Sequence, residues 1–190
     1  MTDHTINIRW HGRGGQGAIT AAKIVANAAF DAGYKGVVMA PTFGTERRGA
    51  PVLTSLKIAK NKIYDLSPIT RPDIAVVLDH LLLDEIDIVS GIVPGGIVII
   101  NTPLPPDAYS FAGIRTATAD VTSISAAAGL PEGIVNTGII GAFAKATGLL
   151  DINGLYAAIE KEFIGKHGEK NIDAARRTYE QTRIGELIDG

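Results

Sequence analysis

Two short stretches of the chain carry groups suited to holding an anion. Gly12-Arg13-Gly14-Gly15-Gln16-Gly17 sets glycines in a GxGxxG pattern between a β-type run, Asn7 to Trp10, and a helical run that begins at Ala18. A glycine turn in that place lets backbone N–H groups approach a phosphate at the positive end of the helix. The same glycines equally serve a tight strand-to-helix turn and close packing of helix on sheet. Arg47-Arg48 lies between Thr45 and Gly49 in a segment bounded by Pro41 and Pro51. Paired guanidinium groups on a loop grip a carboxylate, a phosphate or a partner's acidic side chain, and otherwise stay solvated. The loop follows the second strand, which brings it to the sheet edge that carries the glycine turn. The candidate ligand contacts are therefore Gly12, Gly14, Gly15, Gln16, Gly17, Arg47 and Arg48.

A nicotinamide dinucleotide site also wants an acidic residue about 20 positions beyond the glycines, at the end of the second strand. Here that strand ends Met39-Ala40-Pro41, while Asp31 falls inside the first helix and Glu46 in the following loop. Arg47 and Arg48 could instead meet a 2′-phosphate, so an NADP-binding domain is weakened and stays open. The four histidines, at positions 4, 11, 80 and 167, show no ligand spacing, and a metal site is not expected. His11 precedes the glycine turn without a serine or cysteine nucleophile motif beside it, which favours a packing or turn-stabilising role. No catalytic residue is assigned to the chain. Asn136-Thr-Gly-Ile-Ile-Gly-Ala142 groups small residues where one backbone can approach another closely, with Asn136 or Thr137 as the expected N-cap.

These residues need a scaffold, and composition limits what it can be. The chain has 190 residues, 46% of them hydrophobic and 20% charged, enough to bury one core of ordinary size. Eighteen basic residues against twenty acidic ones, with net charge −2, leave no footprint for a nucleic acid backbone. The absence of cysteine removes disulfides, thiolate nucleophiles and cysteine-ligated clusters from this chain. Met1 to Arg9 lacks the apolar core of a signal peptide and no window approaches a membrane span, so a cytoplasmic protein with no membrane partner is expected.

The expected scaffold is a single domain over residues 1–190: a three-layer α/β/α arrangement with a mixed, mostly parallel sheet and a helical C-terminal third. Strand, glycine turn and helix open it, the helix running from Ala18 to Ala32 and stopping at Gly33. A second strand spans Gly36 to Ala40, and Val52 to Ile58 alternates as a partly covered strand with Lys62 to Tyr64 as a hairpin partner. Asp73 to Leu78 reads as a buried strand, Asp79 as the cap of a helix reaching about residue 90, and Ile97 to Ile100 as the next parallel strand. A short edge strand is expected at 115–118, then helices over about 121–128, 137–147, from Asp151 to before Gly165, and from Asn171 to about Leu187.

His11 to Gly17, Phe43 to Val52, Asp73 to Asp79, Gly95-Gly96 to Thr102, and Asn136-Thr137 to Ala142 follow one another as a series. It closely resembles the gamma subunit of 2-oxoacid:ferredoxin oxidoreductases of the pyruvate or branched-chain ketoisovalerate type. GRGGQG and ERRGAPV are its specific motifs, and the helices after residue 150 match only in character. The resemblance implies a complex that decarboxylates a 2-oxoacid, passes the acyl fragment to coenzyme A and sends electrons through iron–sulfur clusters to ferredoxin. It implies thiamine diphosphate on alpha and beta subunits and clusters on beta and a ferredoxin-like delta subunit, in keeping with the missing cysteines. It places this domain against the catalytic subunits, with the glycine turn and residues 46–50 as interface or ligand contacts and Arg47 and Arg48 toward salt bridges or coenzyme A phosphates. The small subunit of indolepyruvate ferredoxin oxidoreductase and a pure interaction module are the alternatives beside the NADP domain.

Overall fold

Side chains alternate along the central strands, and the two faces of the sheet bury different things. A computed structural model describes residues 4–41, 48–165 and 168–188. The elements run β1 (Ile6–Arg13), α1 (Ala18–Asp31), β2 (Gly36–Pro41), β3 (Pro51–Ala59), β4 (Ile74–Val77), a 3-10 helix (His80–Asp84), β5 (Ile97–Asn101), a 3-10 helix (Pro106–Ala108), β6 (Arg115–Ala119), α2 (Val121–Ala127), α3 (Asn136–Thr147), α4 (Ile152–Glu162), α5 (Gly168–Gln181) and β7 (Arg183–Ile184). They form one seven-stranded sheet in the order β2-β3-β1-β4-β5-β6-β7. β1, β4, β5 and β6 are mutually parallel, β3 runs against β1 and β2, and β7 runs against β6. The α/β class, the mixed sheet and the helical C-terminal third are as the residue pattern predicts.

On one face Ile8, Trp10, Leu56, Ile58, Val76, Leu78 and Ile99 meet buried residues of all five α-helices. Helix α1 contributes mostly alanines to this contact, which lets its backbone lie close to the strands. Trp10 and Phe143 set their ring centroids 5.5 Å apart, in the range of a favourable aromatic pair. On the other face Ala75, Val77, Val98 and Ile100 are covered by Leu82, Ile88 and Ile114, which belong to 3-10 and loop segments. The third layer is therefore thin and contains no α-helix among the described residues.

The helix expected after Asp79 is the main local difference. Only His80–Asp84 coils, as a 3-10 helix. Beyond it the backbone makes separate short turns, Ile88 N–H to the Ile86 carbonyl at 2.9 Å and Ile92 N–H to the Val89 carbonyl at 3.1 Å, and the Arg9 guanidinium donates to the carbonyls of Ile88 and Ser90, both at 2.7 Å, tying this stretch to β1. The Lys62–Tyr64 hairpin does not form either, because the free edge of β3 is taken by β2 from Gly36↔Ala59 to Pro41↔Thr54. Residues beyond Asn61 instead cross the second face, where Lys57 Nζ donates to the carbonyl and carboxylate of Asp65 at 3.0 and 2.9 Å. The strand at 115–119 is not an edge: the last helix stops at Gln181 rather than near Leu187, and β7 pairs outside β6 through Ala117↔Ile184.

Close approach sets the geometry of the C-terminal helices. A Cβ on Gly141 would lie 2.0 Å from the Ala175 carbonyl oxygen of α5, and one on Gly138 would lie 2.4 Å from Val121 Cγ1 of α2. The small residues of the Asn136–Ala142 segment thus serve packing within the chain. Gly→Ala inside a helix normally stabilises by about 1 kcal/mol. Gly141→Ala should do the opposite, destabilising the isolated chain by about 1–3 kcal/mol because α3 and α5 must separate. Urea denaturation reads the sign directly, and a variant as stable as the parent would contradict this packing.

Candidate functional site

The chain leaves β1 and β4 in opposite directions. From β1 it passes through α1, on the helical face, to β2 on one side of the pair; from β4 it passes through residues on the other face to β5 on the other side. Adjacent parallel strands whose connections diverge leave a crevice beyond their C-terminal ends, the usual ligand position in open α/β sheets. Pairing of His11 with Val77, and the Leu78 amide on the His11 carbonyl at 2.8 Å, bring the glycine turn and Asp79 to that crevice.

The turn is held by its own residues. The Gln16 side-chain oxygen accepts from the Arg13 amide at 2.8 Å, and the Gln16 amide donates to the Arg13 carbonyl at 3.0 Å. Gly17 occupies the N-cap of α1 at φ 83°, a left-handed conformation, and supplies no side-chain cap. A Cβ there would lie 2.8 Å from Asn136 Nδ2, so the turn and the start of α3 fit only through a glycine. The first amides of α1, from Ala18 to Thr20, have no partner one turn back and retain the partial positive charge of a helix N-terminus.

The two stretches singled out in the sequence meet here. Gly14 donates to the Ala50 carbonyl at 2.9 Å, and Gly49 donates to the Gly14 carbonyl at 3.1 Å. A Cβ on Gly15 would lie 3.9 Å from Arg48 Cγ. Between them is a cleft of about 510 Å³ lined by Arg13, Gly14, Gly15, Gly17, Arg48 and Val52, with Ala18, Ile19 and Thr20 from the first turn of α1. Arg48 is exposed and has no carboxylate partner among the described residues. Gly12 is buried in the ladder opposite Val52, in contact range of Ala18 and Leu78, and Gln16 faces back into the turn, so neither lines the cleft. Arg47, with residues 42–47, lies outside the described residues.

Sequence reasoning missed the role of Arg13. Its Nε donates to Asp79 Oδ2 at 2.7 Å, and its terminal nitrogens reach both Glu85 carboxylate oxygens and the Gly49 carbonyl. The hydrogen bond from Arg13 holds the Glu85 carboxyl below its ordinary range. Asp79 also caps the 3-10 helix, its Oδ1 accepting from the Leu81 amide at 3.1 Å. The expected cap at Asn136 or Thr137 falls one residue earlier, at Val135, and the Asn136 side-chain Oδ1 accepts from the Thr137 amide at 2.8 Å.

Topology speaks against a dinucleotide site. In that motif the second strand lies beside the first, whereas here antiparallel β3 intervenes and puts β2 about 10 Å away. Among the described residues no three His, Cys, Asp or Glu side chains gather as metal ligands. No helix among them is long and apolar enough to cross a membrane.

A sheet with this switch point, a glycine turn and an exposed arginine defines an α/β domain with an anion-suited crevice, and comparison with known proteins supplies its family. Residues 7–181 match the family model described as pyruvate ferredoxin/flavodoxin oxidoreductase. The common subunit gamma of pyruvate/ketoisovalerate oxidoreductases from Pyrococcus furiosus is 46% identical over 187 residues, 96% of this chain and 100% of that protein. The crystal structure of pyruvate oxidoreductase subunit PORC from Thermotoga maritima superposes with a TM-score of 0.84 at 32% identity, covering 97% of this chain and 100% of that one. A 2-oxoglutarate:ferredoxin oxidoreductase from Magnetococcus marinus, solved with 2-oxoglutarate, coenzyme A and succinyl-CoA bound, shares the fold. Its TM-score is 0.76 at 17% identity, and the match covers 100% of this chain and 33% of that longer one. The chain belongs to the pyruvate ferredoxin/flavodoxin oxidoreductase family, as an oxidoreductase subunit of the gamma type. The comparisons favour neither the indolepyruvate small subunit nor an NADP-binding domain.

His11, just behind the turn, is 5% exposed and its Nε2 has no hydrogen-bond partner among the described residues. Burial, with a smaller contribution from Arg9, pushes its imidazole down to about 4. The fold therefore favours neutral His11, and its contribution to stability is present above about pH 6.5 and lost as pH falls toward 4. The contribution is on the order of 3 kcal/mol. His11→Leu should flatten the fall in unfolding free energy between pH 7 and pH 4.5 relative to the parent; equal slopes in the two proteins would contradict this assignment.

Proposed function

We propose that this chain is the gamma subunit of a complex that oxidises pyruvate or ketoisovalerate with coenzyme A, releasing carbon dioxide and acyl-CoA and passing an electron pair to ferredoxin. The observation that carries the reading is the meeting of the glycine turn and Arg48 at the crevice beyond β1 and β4. The cleft takes an anionic ligand on the α1 amides and the Arg48 guanidinium, and Ile19 and Val52 offer it an apolar wall. Coenzyme A, with several phosphates and an apolar arm, suits that combination. Gly14, Gly15, Gly17 and Arg48 are the contacts, Gly12 and Gln16 shape the turn, and Arg47 is placed with Arg48 by sequence alone.

Thiamine diphosphate and the iron–sulfur clusters belong to partner subunits of alpha, beta and delta type. This chain has no cysteine for a cluster, so its own residues act on the coenzyme A side of the reaction. The chain works as one domain in the cytoplasm, meets ferredoxin only through the complex, and has no nucleic acid or membrane partner.

Two readouts on the assembled complex test the proposal. Coenzyme A-dependent reduction of a viologen dye should be fastest with pyruvate or ketoisovalerate rather than 2-oxoglutarate or indolepyruvate. Arg48→Ala should raise the KM for coenzyme A about tenfold or more, as expected for losing a charged hydrogen bond, and leave the KM for the 2-oxoacid within about twofold. Assembly intact with an unchanged coenzyme A KM would defeat the cleft reading; loss of assembly instead would make Arg48 an interface residue.

A further inference from the structure

Arg13 lies at the mouth of the cleft, and its surroundings separate its role from that of Arg48. Its Nε donates to Asp79 at 2.7 Å, Nη1 donates to Glu85 at 3.2 Å and to the Gly49 carbonyl at 3.3 Å, and Nη2 completes a two-point grip on Glu85. One guanidinium thus ties the end of β1 to Asp79 and Glu85, the two residues that flank the 3-10 helix after β4, and to Gly49 next to Arg48. Its charge faces two carboxylates, and its N–H fork is occupied on three sides. A cation so neutralised has little left for an incoming phosphate, whereas Arg48 has no carboxylate partner among the described residues.

We propose that Arg13 is a positioning residue: its ion-pair clamp on Asp79 and Glu85 fixes the 48–50 loop against the glycine turn so that Arg48 faces the cleft. The clamp works alongside two backbone bonds, Gly14 to Ala50 and Gly49 to Gly14, which set spacing but do not anchor the loop to the far side of the crevice. Among the described residues only Arg13 spans from the loop to the β4 side, through Asp79 and Glu85. A lysine cannot replace it, because a single ammonium lacks the planar fork that serves three acceptors at once.

The inference rests on the cleft reading above, and a double-mutant cycle on the assembled complex tells the two apart. Arg13→Ala should raise the KM for coenzyme A about tenfold with kcat within about twofold. In an Arg48→Ala background the same change should add less than about twofold, because Arg13 acts through Arg48. Arg13→Lys should fail to restore the KM. If Arg48→Ala raises the KM and Arg13→Ala does not, the positioning role falls and the cleft stands. If both single changes raise it and their effects multiply, Arg13 acts independently and the proposal is overturned. If Arg48→Ala has no effect, the cleft reading itself falls, and this one with it. Should Arg13→Ala prevent assembly, Glu85→Gln replaces it in the cycle, since that side chain is nearly half exposed and its loss opens no core. It should give a smaller rise that is likewise absent in the Arg48→Ala background, and an unchanged KM would overturn the clamp.

Discussion

The parallel pairing of β1 with β4 is the constraint on which the rest of the C-terminal edge depends. It aligns His11 with Val77, so the glycine turn and Asp79 emerge side by side, and the diverging connections leave open space between them. Antiparallel β3, inserted between β1 and β2, then starts its own ladder at the same edge, with Pro51 opposite Arg13. The loop that carries Arg48 is delivered to the turn by strand register, not by any affinity of the loop itself. A shift of one residue in that ladder would turn the side chains of β3 to the opposite face and carry Pro51, with the loop before it, about 3.4 Å along β1.

Close packing makes the arrangement stiff. Alanines along α1 let it lie flat on the sheet, Gly17 admits Asn136, and Gly141 admits the backbone of α5. The turn therefore rests on α3, and α3 on α5, through contacts that leave no room for a methyl group. The second face of the sheet is organised differently: beside its small apolar cluster, Arg9, Lys57 and Asp65 hold loops by hydrogen bonds where the other face uses helices. This division explains why the third layer is thin and why the crevice opens on a surface of loops.

What was legible in the sequence was local. The strand, glycine turn and helix at the start follow from residue spacing within a few turns, as do β4, β5 and the α3–α4 region. The helix expected after Asp79 ends at Asp84, and the stretch beyond it is tied to β1 by Arg9, 79 positions from Ile88, a contact the local pattern cannot register. Two-residue β7 carries no pattern of its own and exists because β6 offers a free edge. The glycines and Arg48 were recognised by type, yet Arg13 sat in a variable position of the glycine motif, and only the placement of Asp79 and Glu85 after β4 gives it meaning. Asp79 was read as a cap, which is half of what it does.

What this subunit offers among its described residues is geometry: a glycine turn, the first amides of α1 and Arg48 around one crevice. In the proposed complex that geometry is an anion cleft at the sheet switch point. The most direct measurement is a structure of the assembled complex with coenzyme A bound. The account predicts phosphate oxygens within hydrogen-bond distance of the Arg48 guanidinium and the first amides of α1. Coenzyme A phosphates held by another part of the complex, with this cleft closed against a neighbouring subunit, would contradict it.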